Sequence, residues 1–265
     1  MVRTVTSTLT AQVLAPSTVE LQVAVAGDRP GTEVLEVTLD GAPVEVTELA
    51  TDVGGRLHVV RPGAGRLQVS YRAEVHGESA PVTVQPLDRT AYLRPSRYAQ
   101  SDALAAVAAA ELGGAGDPAS LVRDVAAWVG GRLAYVPGSS RVTDGAVDTL
   151  LAGAGVCRDY AHLTLALLRA RDVPARLVSV YAPGLDPMDF HAVVEAMVDG
   201  AWYVVDATLL APRQSLVRIA TGRDAADTAF MSSYGGALRL DGMSVTATVD
   251  GDLPVDDLDR LVQLG

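Results

Sequence analysis

The sequence contains no lysine; all 21 of its basic residues are arginine. The protein therefore offers no ε-amine of its own for isopeptide formation, and the skew fits a GC-rich genome. It has one cysteine, Cys157, which rules out an intramolecular disulfide and a cysteine-rich zinc site. No uninterrupted apolar run approaches the roughly 18 residues of a membrane span. The opening Met1–Thr10 stretch has no apolar block behind its arginine, so it does not read as a secretory leader, and the expectation is a cytoplasmic protein. Basic residues are outnumbered 21 to 32, for a net charge of −11, which argues against a nucleic-acid partner. Neither a G-x-S-x-G elbow, an H-E-x-x-H zinc motif, a Walker loop nor a Rossmann glycine pattern is present. No cofactor or metal is expected.

What the chain does have is two contrasting halves. Residues 2–85 alternate apolar and polar in short runs, among them Val19 to Val23, Val34 to Leu39 and Leu67 to Tyr71. The turn pairs Gly27-Asp28, Asp40-Gly41, Gly54-Gly55 and Pro62-Gly63 separate them. Period-two runs at this spacing predict an antiparallel β sandwich or barrel over residues 1–95. From residue 96 to 265 the pattern predicts an α+β domain. Ser101 is placed as the cap of an Ala-rich helix. Asp117-Pro118 opens another, ending at Gly130-Gly131. A short strand spans Arg132 to Val136, and a helix runs from Cys157 to about Arg171. Strands then follow at Arg176–Tyr181, His191–Val198, Ala201–Ala207 and weakly at Val217–Ile219, with a last one at Met243–Val249. The Asp256-Asp257 pair reads as solvated, and Gly222-Arg223-Asp224 as a salt-bridged loop.

By count alone, a lone cysteine is more often a small buried hydrophobe than a nucleophile. Its position changes that reading. The turn ending in Gly155-Val156 delivers Cys157 to the first turn of an amphipathic helix, where the dipole favours a thiolate and free N–H groups can hold an oxyanion. His162, five residues on, points roughly 140° away and is expected to be structural, together with Asp159. His58 and His76 read as ordinary strand residues. His191 opens a strand that Asp199-Gly200 turns into the next. If Val198 pairs with Ala201, then Val193 pairs with Asp206, and His191 and Asp206 become same-face diagonal neighbours about 7–8 Å apart at Cα. An aspartate so placed fixes the imidazole tautomer.

These segments resemble the bacterial transglutaminase-like cysteine peptidases of the transglutaminase-like superfamily. Val136 to Ser140 is similar to the stretch before the active-site helix. Gly155 to His162 matches the family's G-V-C-[QR]-D-[FY]-A-H block, and Arg169 to Val180 its R-x-x-x-[IV]-P-A-R-x-V-S block. Trp202 to Thr208 resembles W-x-x-x-D-[PA]-T, and Ala220 to Asp227 matches A-x-G-R-D-x-x-D. The resemblance implies a papain-like core, a β-rich N-terminal domain, and a triad of Cys157 as nucleophile, His191 as base and Asp206 as orienter. It implies acyl transfer on peptide or isopeptide amides of a peptide or protein substrate through a thioester, with hydrolysis ahead of amine transfer, and a non-catalytic binding module as the remaining reading. Phe190, Val193 and Ala207 depart from the family's usual Ser, Trp and Pro and are expected to alter the cleft walls. Tyr135 reads as core rather than as an oxyanion donor, and so does Trp128.

Overall fold

The computed structural model describes residues 1–27, 31–78, 80–114 and 116–264; the Asp28 half of the first turn pair lies outside them. Seven strands come first: β1 (Val2–Val13), β2 (Thr18–Leu21), β3 (Thr32–Leu39), β4 (Ala42–Pro43), β5 (Thr47–Ala50), β6 (Arg56–Val60) and β7 (Gly65–His76). Helices α1 (Asp88–Leu93), α2 (Ala105–Glu111) and α3 (Pro118–Arg132) follow. A short parallel pair, β8 (Ala134–Tyr135) and β9 (Ala154–Gly155), brackets α4 (Ala146–Ala152). Next comes α5 (Cys157–Ala170), followed by β10 (Ala175–Tyr181), β11 (Phe190–Val198), β12 (Ala201–Val205) and β13 (Val217–Gly222). Strands β14 (Met231–Tyr234) and β15 (Leu238–Val249) complete the series. The protein is α+β, and no described helix is long and apolar enough to cross a membrane.

Two open antiparallel sheets, ordered β15-β1-β7-β3-β4 and β14-β2-β6-β5, face each other across one core. This is the sandwich alternative; neither sheet closes into a barrel. Strand β1 shows why it forms: its odd-numbered residues from Arg3 to Val13 are buried and the even ones are not, the period-two signature of a half-buried strand. The Asp40-Gly41 hairpin forms as expected, with Leu39 paired to Ala42 and positive φ at both turn residues, 50° and 83°. The last long strand, β15, pairs along β1 from Arg3↔Val249 onward, and β14 pairs with β2. The sheets begun by residues 1–95 are thus finished by chain from the far end.

The second unit is a sheet ordered β12-β11-β10-β13. Buried α5 packs on it through Leu163, Leu165 and Leu167 against Leu177, Val194 and Ala196. A hydrogen-bonded seam joins the halves: the Tyr181 hydroxyl donates to the Val23 carbonyl (2.7 Å) and lies 2.9 Å from Ser7 Oγ. Tyr181 also stacks on Tyr71, with centroids 6.3 Å apart.

Three local expectations are corrected. Helix α3 starts as expected, with the Asp117 carboxylate accepting the Ser120 N–H (3.0 Å), but it runs through Gly130-Gly131 to Arg132. Gly130 serves close packing rather than termination: a Cβ there would meet the Ala207 carbonyl oxygen at 2.9 Å. Ser101 does not cap α2, which begins four residues later with buried Leu104 at its cap position. Asp256 is not a solvated tail residue; the Arg213 guanidinium donates to both its oxygens, at 2.8–3.1 Å.

Candidate active site

The site is assembled from the start of α5 and the β11–β12 hairpin. Asp159, in the first turn of α5, folds back so that its Oδ2 accepts the Val156 N–H (2.8 Å) and the Ser140 hydroxyl (2.6 Å). This caps the helix and aims its remaining free N–H groups outward. Gly155 makes the fold-back possible, since a Cβ there would meet the Asp159 Cβ at 2.5 Å. Cys157 is the first residue of the helix and is partly exposed.

The hairpin register agrees with the count made from sequence. Val198 pairs with Ala201, and the ladder continues to Val194↔Val205, one step short of the expected Val193–Asp206 pair. The Asp199-Gly200 turn has φ of 49° and 78°, the conformation of a tight two-residue hairpin. His191 and Asp206 meet as expected: the His191 Nε2–H donates to Asp206 Oδ2 at 2.7 Å, and both side chains are buried. An ionised carboxylate only accepts, which assigns the proton to Nε2. The other oxygen, Asp206 Oδ1, accepts the N–H (2.9 Å) and hydroxyl (2.7 Å) of Thr208, a supporting role with no signal in the sequence beyond the place of Thr208 in the W-x-x-x-D-[PA]-T block.

Electrostatics follow from this network. Burial opposes charge on His191, but Asp206 and then Cys157 outweigh it and carry the imidazole up to about 10. Burial likewise opposes ionisation of Asp206, yet His191 and Thr208 hold its carboxyl below the usual range. His191 Nδ1 has no well-formed hydrogen bond, and Cys157 is the neighbour positioned to use it.

The cleft around Cys157 and His191 has a volume of about 550 Å³, with walls that include Tyr98, Arg158, Asp189, Phe190, Phe230, Met231 and Met243. Of the three departures from the family pattern, only Phe190 lines it. Val193 is buried with Val178, Val180 and Val204, and Ala207 sits on a separate cavity behind Asp206. His162 is structural, but not with Asp159. Its Nε2 accepts the Ala225 N–H (3.2 Å) and its ring stacks on Tyr98 at 5.1 Å, so it props the cleft wall. Burial, with help from Arg158 and Arg169 and against Asp224, holds its pKa down to about 3.

Tyr135 is not core. The residue is 41% exposed and its ring rests on Tyr160 at 5.9 Å, while its hydroxyl lies beside the Cys157 main-chain N–H and thiol. Burial and Cys157 push that phenol up to about 12. The parallel β8–β9 pair, Tyr135↔Gly155, brings it there, a long-range pairing with no local sequence signal. Trp128 is half-buried against the helical core, as expected, with its Nε1–H donating to Glu111 (3.2 Å). The Gly222 loop is salt-bridged, Arg223 to Asp227 at 2.8 Å. Among the described residues no cluster of three or more metal-ligating His, Cys, Asp or Glu side chains exists.

Comparison with known proteins agrees with the fold. Residues 106–207 match the family model of the Transglutaminase-like superfamily. A crystal structure of a candidate cysteine protease from Cytophaga hutchinsonii is 34% identical, with a TM-score of 0.86, covering 98% of this chain and 96% of that one. An uncharacterized protein of Mycobacterium leprae is 30% identical over 160 residues, 56% of this chain and 57% of its own length. Another, from Mycobacterium tuberculosis, is 38% identical over 73 residues, 26% of this chain and 23% of its own length. The chain thus spans about half or less of these mycobacterial relatives. It belongs to the transglutaminase-like superfamily, which supports a cysteine-dependent activity.

Proposed function

We propose that the protein is a cysteine peptidase or amidase that hydrolyses peptide or isopeptide amides through a thioester on Cys157. The observation that carries this reading is the buried 2.7 Å bond between His191 and Asp206, set beside a partly exposed cysteine at a helix start. A core cysteine has no need of such a pair. In acylation, His191, carried up to about 10, already holds at Nδ1 the proton drawn from Cys157, and Sγ attacks the carbonyl carbon. The oxyanion is held by the Cys157 N–H and the Tyr135 hydroxyl. The imidazolium then passes its proton to the leaving amine, and the C–N bond breaks. In deacylation, His191 removes a proton from water, hydroxide adds to the thioester, and the thiol leaves with the proton returned. Asp206 keeps Nε2–H pointed away from sulfur and stabilises the imidazolium. Peptides and proteins, rather than nucleic acids, are the proposed substrates, consistent with the net charge of −11.

The test is product mass from a glutamine-containing peptide, with and without a primary amine, for the parent and Cys157→Ala. Carboxylate product formed by the parent and lost in the variant is the expected result. Dominant amine incorporation would make the protein a transglutaminase instead. Turnover persisting in Cys157→Ala would end the cysteine mechanism altogether.

A further inference from the structure

Apart from His191, the charged side chains lining the cleft are Arg158 and Asp189. Arg158 is already engaged at its own helix start, donating to the Arg141 carbonyl (2.9 Å) and Ser140 Oγ (3.2 Å) and lying 3.5 Å from Asp159. Asp189 is different. One oxygen accepts the N–H of Phe190 at 2.7 Å, and no arginine among the described residues forms an ion pair with it. Yet it interacts electrostatically with both His191 and Tyr135, the groups that flank Cys157.

A carboxylate without an arginine partner is a poor neighbour for acyl transfer, because thiolate and oxyanion are both negative and repel it in a half-desolvated cleft. Burial already raises its pKa above the ordinary carboxyl value. A positive charge on the substrate converts that penalty into recognition. The adjoining wall suits the rest of such a group: Phe190 and Phe230 stack at 5.2 Å beside Met231 and Met243, an apolar surface that takes an aliphatic stem while its charged head reaches Asp189.

We infer that Asp189 is the residue by which the site selects substrates carrying a primary ammonium group near the scissile amide. The inference rests on the cysteine hydrolase reading above. The ammonium has two sources, a free peptide N-terminus or a lysine side chain, and the same experiment separates them.

The test compares the parent with Asp189→Asn, an isosteric change at an exposed position, in two arms. The first measures modification of Cys157 by two methanethiosulfonates, one bearing an ethylammonium and one an ethylsulfonate. Their rate ratio should fall about fivefold in the variant, the size expected of one solvent-facing ion pair. The second measures kcat/KM on three matched peptides: one with a free N-terminus, one acetylated with lysine near the scissile bond, and one acetylated with norleucine there. The ratio of one ammonium peptide to the norleucine peptide should fall about fivefold, and the peptide affected names the source. Unchanged ratios in both arms would overturn the assignment. If the parent turns over no peptide in a Cys157-dependent way, the hydrolase reading fails, while the reagent ratio still decides the role of Asp189.

Discussion

Replacing Asp206 with asparagine removes one charge and no volume, so its effect is set by the hydrogen bonds around that carboxylate. Oδ1 is committed to two donors from Thr208, at 2.9 and 2.7 Å, and Oδ2 to the His191 Nε2–H at 2.7 Å. An asparagine that keeps its oxygen toward Thr208 turns its NH2 toward Nε2–H, donor against donor. The imidazole then relieves the clash by moving its proton to Nδ1, and the base beside Cys157 is lost. The opposite amide rotamer leaves Thr208 facing the NH2 instead. The charge matters as well. The imidazole stands at about 10 against an ordinary 6.5, and Asp206 is the largest favourable cause. At about 1.4 kcal/mol per pH unit this is on the order of 5 kcal/mol of net imidazolium stabilisation, reached against burial. The expected loss in kcat is about 10³- to 10⁴-fold. The assay is steady-state peptide hydrolysis with far-UV circular dichroism as a check on folding, paired with alkylation rates of Cys157 from pH 6 to 10. A folded Asp206→Asn enzyme within tenfold of the parent would refute both the tautomer argument and the role assigned to Asp206.

Acid sensitivity should trace to His162. Its folded pKa is held down to about 3 while the unfolded chain titrates near 6.5, so the unfolded state binds the extra proton. Stability is therefore lost as pH falls from about 6.5 toward 3. His162→Gln, which retains an acceptor for the Ala225 N–H, should narrow the gap between urea midpoints at pH 7 and pH 4.5; an unaltered gap would contradict the assignment. The two glycines in α3 should behave oppositely. Gly130→Ala forces a methyl to 2.9 Å from the Ala207 carbonyl and should cost about 1–3 kcal/mol with a fall in rate, because Ala207 adjoins Asp206. Gly131 has open space at its Cβ position, and Gly131→Ala should be neutral or stabilising by up to about 1 kcal/mol. Thermal denaturation of the two variants that ranked them the other way would overturn the packing argument.

Much of the candidate site was legible in the order of residues, because the relevant physics is local. A capped helix start presents Cys157, and a two-residue Asp199-Gly200 turn sets a register that counts His191 onto Asp206. Alternation in β1 and the positive-φ pair at Asp40-Gly41 likewise follow from side-chain period and turn chemistry. Where the local reading failed, a distant contact had overruled it. Gly130-Gly131 looked like a helix stop until Ala207 supplied a reason for a glycine inside the helix. Asp256 looked solvated until Arg213 reached it from 43 residues away. Tyr135 looked like core until β8 paired with β9 and set its hydroxyl beside Cys157. Helix starts, hairpin register and strand period are encoded within a few residues and so can be read from the chain itself. The return of β15 to β1, the cleft between the halves and the isolation of Asp189 within it depend on which surfaces meet, and only tertiary packing decides that.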